Sequence, residues 1–342
     1  MEINLISDTV TRPTPGMLKA MMQARVGDDV FKEDPTVTAL EEKVAAYFGM
    51  ESALFFPSGT MANQTGIKYH TRPGDQLICD KYAHVYNYEG GGVSFNSGVS
   101  CKLVDGERGM MRAEQVEDAI NPPDFYHSPR TRLVCIENTT NKGGGACWDT
   151  EELRKIRAVC DKHGLALHLD GARIWNALAN GAGTPAFFGE TFDTISVCLS
   201  KGLGCPVGSL LVGSREAMDE ALRIRKVLGG GMRQAGYLAA AGIYALDHHI
   251  DRLGEDHQKA REIGELLSSL DFVRYVAPVE TNIVIFELDT PRASDSDLVE
   301  KLGQQGIRLI GMGQGKLRMV THLDYTDRMH ERVLEILSGI SL

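Results

Sequence analysis

The chain has 342 residues, 43% of them hydrophobic and 24% charged, a globular balance that excludes intrinsic disorder and suits one large domain plus a smaller one. Its net charge of −10 and pI near 5.5 disfavour nucleic acid or anionic membrane as the main partner, because neutralising phosphates requires clustered Lys and Arg. No apolar run approaches the roughly 18 residues of a membrane span. The N-terminal MEINLISDTVTRP lacks the basic and apolar regions of a secretion signal. The 7 cysteines form no C-x-x-C pair and read as reduced thiols of a cytoplasmic protein.

From about residue 36 the chain alternates helical and strand patterns. Thr38 to Phe48 carries Leu40, Val44, Tyr47 and Phe48 at helical spacing. ALFF (53–56) is a short apolar run closed by Pro57 and Gly59, a strand entering a loop, and TMANQTGIKYH predicts a helix behind it. A strand near 76–79 and a helix after His84 follow. Further strands are predicted near 101–104, 132–137, 165–170, 194–200 and 207–213, with an amphipathic helix over Glu151 to Lys162. This alternation predicts an α/β fold with a mostly parallel sheet covered on both faces. After Gly236 a helical stretch (237–268) leads to a strand at 282–288 and a helix near 295–304. The short strands RLI and LRMV and a helix near 326–338 complete a smaller α+β unit. The expected division is a large domain over 1–245 and a C-terminal domain over 246–342.

Three segments carry chemistry, all at strand ends, where open α/β sheets bind ligands. In HLDGAR (168–173), Asp170 ends a buried strand, where a carboxylate is costly unless it meets a cation. It suits a helix N-cap for 172–178, or a partner for a protonated pyridine nitrogen. In CLSKGLGCPVGS (198–209), Lys201 lies between an apolar strand and a glycine-rich turn. Poor solvation there favours the free amine needed for imine formation, although a strand-end lysine can equally snorkel to water. In FPSGTMANQ (56–64), backbone amides and the Ser58 and Thr60 hydroxyls can cradle an anion at a helix start, and the same S-G-T also makes an ordinary cap. It lacks the G-K-[ST] of a Walker loop. GMGQGK (311–316) fails that pattern as well, and no G-x-G-x-x-G follows a strand. An anion cradle, an acid for a ring nitrogen and a desolvated lysine together match what pyridoxal 5'-phosphate (PLP) requires.

SDTVTRPT (7–14), VGDDVFKEDPTV (26–37), PSGTMANQ (57–64), HLDGARIWNA (168–177), CLSKGLGCPVGSLLVGS (198–214), GGGMRQAG (229–236) and RMVTH (318–322) resemble the threonine aldolases. These are PLP enzymes of the aspartate aminotransferase fold type (fold type I). The resemblance runs from about residue 3 to 335, and LSKGLG together with GGGMRQ is far more specific than a lone lysine motif.

The resemblance implies that Lys201 holds PLP as a Schiff base, that Asp170 pairs with the pyridine nitrogen, and that His84 of YAHVYNYEGGG stacks on the ring. Ser58, Gly59 and Thr60 then take the phosphate, with Arg233 reaching it from a neighbouring subunit. Arg173, next to the cofactor, and Arg318 receive the substrate carboxylate with the Ser7 hydroxyl, and His127 lies near the substrate hydroxyl. The first 30 residues contribute to the site. Plain readings stand beside these: a structural histidine at 84, and a helix-start arginine at 233 paired with a local acid.

The implied reaction is reversible retro-aldol cleavage of L-threonine or L-allo-threonine to glycine and acetaldehyde, with His84, His127 or an ordered water as the base. The alternative is a β-eliminating or other PLP-dependent amino-acid lyase on the same scaffold. An Arg233 that crosses a subunit boundary requires at least a dimer, and the family is typically tetrameric. No metal-ligand set is expected. His248, His249 and His257 do not match H-E-x-x-H and read as solvated or interface residues. Departures from the family pattern are Asn4 and Ile6 for an Asp and an Arg, Phe31 for a tyrosine, and Thr140 for a histidine. They bear on stereochemical preference and substrate range.

Overall fold

The computed structural model describes residues 2–289 and 294–340. Its strands in chain order are β1 (Ile3–Asn4), β2 (Ser52–Phe56), β3 (Gln76–Asp80), β4 (Ser100–Val104), β5 (Thr131–Glu137), β6 (Ala166–Gly171), β7 (Thr194–Cys198), β8 (Ser209–Gly213), β9 (Val273–Val276), β10 (Ile283–Leu288), β11 (Ile307–Arg308), β12 (Ile310–Gly313) and β13 (Lys316–Val320).

Strands β2 to β8 form one 7-stranded sheet in the order β2-β8-β7-β6-β5-β3-β4. Its pairs are parallel except those made by β8, which runs against β2 and β7. TISVC of β7 and SLLVG of β8 are buried at every position. The reason is cover on both faces, which favours uninterrupted apolar runs. On one face Ile78, Ile136, Leu167, Leu169, Ile195 and Val197 pack with the helices Pro35–Phe48, Thr150–His163 and Gly236–His248. On the other, Leu77, Cys79, Leu133 and Cys135 pack with Ile67, while Leu54, Phe56 and Leu211 pack with Ala62, Met218 and Ala221. The period-2 alternation of each strand therefore supplies both cores.

Strands β9, β10, β12 and β13 form a separate antiparallel sheet in the order β12-β13-β10-β9. Helices Leu253–Ser268, Asp295–Gln304 and Asp327–Gly339 supply its core through Ile263, Leu267, Leu298, Leu302, Val333 and Leu337. β1 belongs here too. It runs parallel to β11, with Ile3 opposite Ile307, and Ile3 and Leu5 are buried in the same core.

The helical stretch expected over 237–268 is broken between Gly236–His248 and Leu253–Ser268. The break explains why the expectation of solvated or interface histidines fails for two of the three. His248 is exposed, but His249 turns inward and donates Nδ1–H to the Leu203 carbonyl at 2.7 Å. His257 is buried against Asn176, whose Nδ2 donates to its Nε2 at 3.2 Å, and burial lowers its pKa to about 4. Each inward ring is satisfied by a partner within the chain, that of His249 in the Lys201 loop itself. The strand expected to run to residue 200 ends at Cys198, which releases Leu199 to Lys201 into that loop. GMGQGK is the β12–β13 hairpin, with Gln314 and Gly315 at φ of 56° and 75° in its turn. All 7 cysteines are unpaired, and no helix of the described residues is long and apolar enough to cross a membrane.

Candidate active site

The carboxyl ends of β5, β6 and β7 gather the polar side chains. Register places Asp170 of β6 beside Glu137 of β5 and Ser196 of β7. Asp170 is 2% exposed, and its Oδ1 accepts from the Ala172 amide at 3.1 Å while Oδ2 is buried with no partner. A local cap thus accounts for one oxygen only. The other is a buried acceptor that lacks a donor, which costs about 1–3 kcal/mol, more for a charged group, until one arrives.

His84 opens a short helix after β3, and its amide donates to Glu137 Oε2 at 2.8 Å. Its Nδ1 lies 3.0 Å from Glu89 Oε1. One polar atom each from His84, Glu89 and Asp170 lie within 4.8 Å of one another. Burial opposes the charged imidazole, but the Glu89 hydrogen bond and the charges of Asp170 and Glu89 outweigh it and raise the His84 pKa. Glu137 is pushed up to about 7 by burial and then by Asp170, against hydrogen bonds from the Asn141 and His84 amides.

Ser58 caps the helix Gly59–His70, accepting from the Met61 amide at 3.2 Å. A Cβ on Gly59 would stand 2.7 Å from Cys198 Sγ, so only glycine lets this helix start so close to the end of β7. Thr60 follows in the first turn, where amides point out of the helix. The Lys201 carbonyl accepts from Thr11 Oγ1 and the Gly204 amide, both at 2.9 Å, which fixes the loop. The Lys201 charge acts on both Asp8 and His84.

Asp8 and Arg173 form a buried ion pair, and Asn282 Nδ2 adds a bond to Asp8 Oδ2 at 3.2 Å. Burial opposes ionisation of Asp8, yet the guanidinium of Arg173 holds its pKa well below the usual range. Arg318 donates Nη1 to Asn141 Oδ1 at 2.7 Å and Nη2 to the Ile6 carbonyl at 3.1 Å, while its Nε is buried without a partner. Burial and the nearby Arg173 charge lower its pKa. The Ser7 hydroxyl caps the turn Asp8–Val10, accepting from Thr9 at 3.2 Å.

Two expected site residues are not brought to this cluster within the chain. Arg233 is mostly exposed, pairs with Asp28 at 2.8 Å and lies over the Phe31 ring. His127 is exposed on the loop before β5, against the rings of Phe125 and Tyr126.

A family model described as beta-eliminating lyase matches residues 4–291. Low-specificity L-threonine aldolase 1 of Arabidopsis thaliana is 42% identical over 332 residues, spanning 95% of this chain and 92% of its own length. The low specificity L-threonine aldolase of Escherichia coli K12 is 40% identical, with 94% of each chain covered.

The chain belongs to the threonine aldolase family.

Its fold is that of solved relatives. A Leishmania major threonine aldolase superposes with a TM-score of 0.85 at 21% identity, covering 98% of each chain. The aspartate aminotransferase of Rhizobium meliloti reaches 0.73 at 15% identity, covering 99% of this chain and 90% of its own. Both likenesses are of the fold, the fold type I architecture.

The side chains present fit PLP by their chemistry. Asp170 Oδ2 is a buried acceptor without a donor, the Lys201 amine is near enough to act on His84 as Asp170 does, and Gly59 starts a helix close against the end of β7. Sequence reasoning missed several buried polar residues in or behind this cluster: Asp8, Glu89 with its partner Asn63, Glu137 and Asn138. The Asn138 amide is fully buried, and neither its Oδ1 nor its Nδ2 has a partner. A signal was available for Asp8, an acid inside SDTVT beside Ser7.

Proposed function

We propose that the chain is a PLP-dependent aldolase that reversibly cleaves L-threonine, L-allo-threonine and related β-hydroxy-α-amino acids to glycine and an aldehyde. The observation that carries this is the unpartnered Asp170 Oδ2 clustered with His84 in a chain 42% identical to a low-specificity L-threonine aldolase. Lys201 would hold PLP covalently, Asp170 would face its pyridine nitrogen, His84 its ring, and Ser58, Gly59 and Thr60 its phosphate. When bound, PLP supplies the sink for the electron pair left on Cα as the Cα–Cβ bond breaks.

The chain's own residues orient and deprotonate. Arg318 takes the substrate carboxylate by exchanging its contact with Asn141, and the Ser7 hydroxyl and Arg173 complete the seat. A carboxylate fixed there sets which Cα bond faces the sink, and such positioning lowers the barrier by pre-ordering the reactants. His84, with Nδ1 engaged by Glu89, presents Nε2 to the β-hydroxyl proton, directly or through a water. His127 joins the substrate hydroxyl, and Arg233 the phosphate, only where subunits meet. We therefore take the active unit to be at least a dimer and, with the family, a tetramer. We place the protein in the cytoplasm, in threonine catabolism and glycine formation. We divide it into a PLP-binding domain over 1–245 and a small domain over 246–342, with the exception that β1 and Leu5 at the start of the chain pack into the core of the small one.

The family description favours one second reading, β-elimination. Products separate the two. Threonine, serine and cysteine are offered to the PLP-loaded enzyme, and glycine with its aldehyde is measured against ammonia with a 2-oxo acid, 2-oxobutanoate from threonine or pyruvate from serine and cysteine. Glycine with acetaldehyde is expected from threonine; 2-oxobutanoate from threonine or pyruvate from serine, without glycine, overturns the aldolase reading.

A further inference from the structure

Behind His84 stands a carboxylate with no role so far. The Glu89 side chain is wholly buried. Its Oε1 accepts from His84 Nδ1 at 3.0 Å and from Asn63 Nδ2 at 2.9 Å, and its Oε2 accepts from Gln64 Nε2 at 2.6 Å. A Cβ on Gly92 would reach 2.6 Å from the Gln64 amide carbon, so glycine there makes room for the Gln64 donor.

The direction of each bond follows from Glu89. An ionised carboxylate only accepts, so Asn63 must present Nδ2 to it and turn Oδ1 the other way. Asn63 Oδ1 then accepts from the Ser196 hydroxyl and from His168 Nε2, the latter at 3.2 Å. With its proton on Nε2, neutral His168 accepts on Nδ1 from the Thr194 hydroxyl at 2.8 Å. Thr194 Oγ1 is left to accept from His70 Nε2 at 2.9 Å. Burial supports the single proton on each ring, lowering His168 to about 3 and His70 to about 4. Every donor along this line points toward Glu89. The Asn63 amide in its middle cannot pass a proton without becoming an imidic acid, so the line is a scaffold and not a proton wire.

We propose that Glu89 is the positioning residue of His84, holding the imidazole with its proton on Nδ1, turning Nε2 to the reacting centre and keeping that nitrogen basic enough to take the substrate's β-hydroxyl proton. This rests on the assignment of His84 to that proton. The charged and titratable groups that face the ring are Glu89 and Tyr88 from the turn after its own helix, Asp170 from β6, Glu137 from β5 through the His84 amide, and Lys201 from the loop after β7. Asp170 and Glu89 favour the charged ring; burial and Lys201 oppose it. Once Asp170 is matched by a protonated pyridine nitrogen its support for His84 is spent, and Glu89 is the anion that remains.

The test is the titration of His84 by nitrogen NMR, on histidine-labelled protein with and without PLP, in the wild type and in Glu89→Gln. The wild type should carry the neutral-ring proton on Nδ1 and titrate above a free imidazole. Glu89→Gln keeps the shape and removes the charge, so the His84 midpoint should fall by roughly one pH unit or more. The acid limb of kcat/KM should move down with it, while KM changes little. An unchanged midpoint in Glu89→Gln overturns the proposal. So does a wild-type ring protonated on Nε2 or titrating as free imidazole, a result that holds even if the variant does not fold. Absence of aldolase products from the wild type would refute the function without moving these resonances.

Discussion

Asp8 grips Arg173 with both carboxylate oxygens, Oδ2 at 2.8 Å from Nε and Oδ1 at 2.7 Å from Nη2. The two are 165 residues apart in sequence and both are buried, so the pair joins the N-terminal segment to the turn after β6. It also neutralises one of the two arginines assigned to the substrate carboxylate, leaving Arg318 as the cation with an unpartnered donor.

Removing the charge strands a buried guanidinium, so Asp8→Asn should lower stability by about 3–5 kcal/mol. The pH dependence has a definite sign. A carboxyl whose folded pKa is depressed contributes stability above its unfolded pKa of about 4, and that stability is lost as pH falls through the folded value. Urea melts from pH 6 down to pH 3 should show this loss beginning below about pH 4 in the wild type and missing in Asp8→Asn.

Glu137 has the opposite sign. Its folded pKa is raised to about 7, so its contribution is fully present below its unfolded pKa and is lost as pH rises through 7. Relative to the wild type, Glu137→Gln should become more favourable between pH 5 and pH 8, by on the order of 1–3 kcal/mol. Denaturant midpoints at the two pH values measure the difference, and an effect independent of pH would refute the raised pKa.

Gly59→Ala places a methyl group against Cys198 Sγ. The helix start must shift, and PLP affinity should fall roughly tenfold, or ~1.4 kcal/mol. Adding Cys198→Ala should recover most of it. Equilibrium titration with PLP measures both, and a double variant as weak as the single one would show that the close approach is not the cause.

Lys201→Ala should fold normally, lose the visible absorbance of covalently held PLP and fall to background turnover. Retained turnover would refute the role assigned to Lys201.

Arg318→Lys keeps the charge but gives up the planar fork. KM for threonine should rise roughly tenfold or more, with a smaller change in kcat. Steady-state kinetics on both threonine diastereomers would check this, and a fall confined to kcat would argue against carboxylate binding.

Much of this was readable in sequence. TISVC, RLVCIE and LALHLD are apolar runs of strand length at helix-separated intervals, which dictates a parallel sheet, and Asp170 and Lys201 stand at ends that such a sheet turns toward ligand. Glu89 was not readable as buried. Its neighbours Tyr88 and Gly90 are loop-like, and the amides that make its burial tolerable come from Asn63 and Gln64, which are 26 and 25 residues upstream. His249 was misread because helical periodicity runs through a turn that no glycine or proline announces. β1 escaped notice because two residues carry no period, and its partner is set by tertiary contact alone.

That short strand has a consequence for how the protein is made. Ile3 pairs with Ile307, and the Leu5 carbonyl accepts from the Val320 amide. During synthesis Asp8 and Arg173 are both available once β6 has emerged, but the strands that anchor the peptide leading into Asp8 are translated last. The large sheet is thus made while the peptide leading into Asp8 is still unanchored, and the later strands β11 and β13 fasten it. Contacts this distant close slowly, so recovery of activity should lag behind recovery of helical signal when the denatured enzyme is returned to buffer.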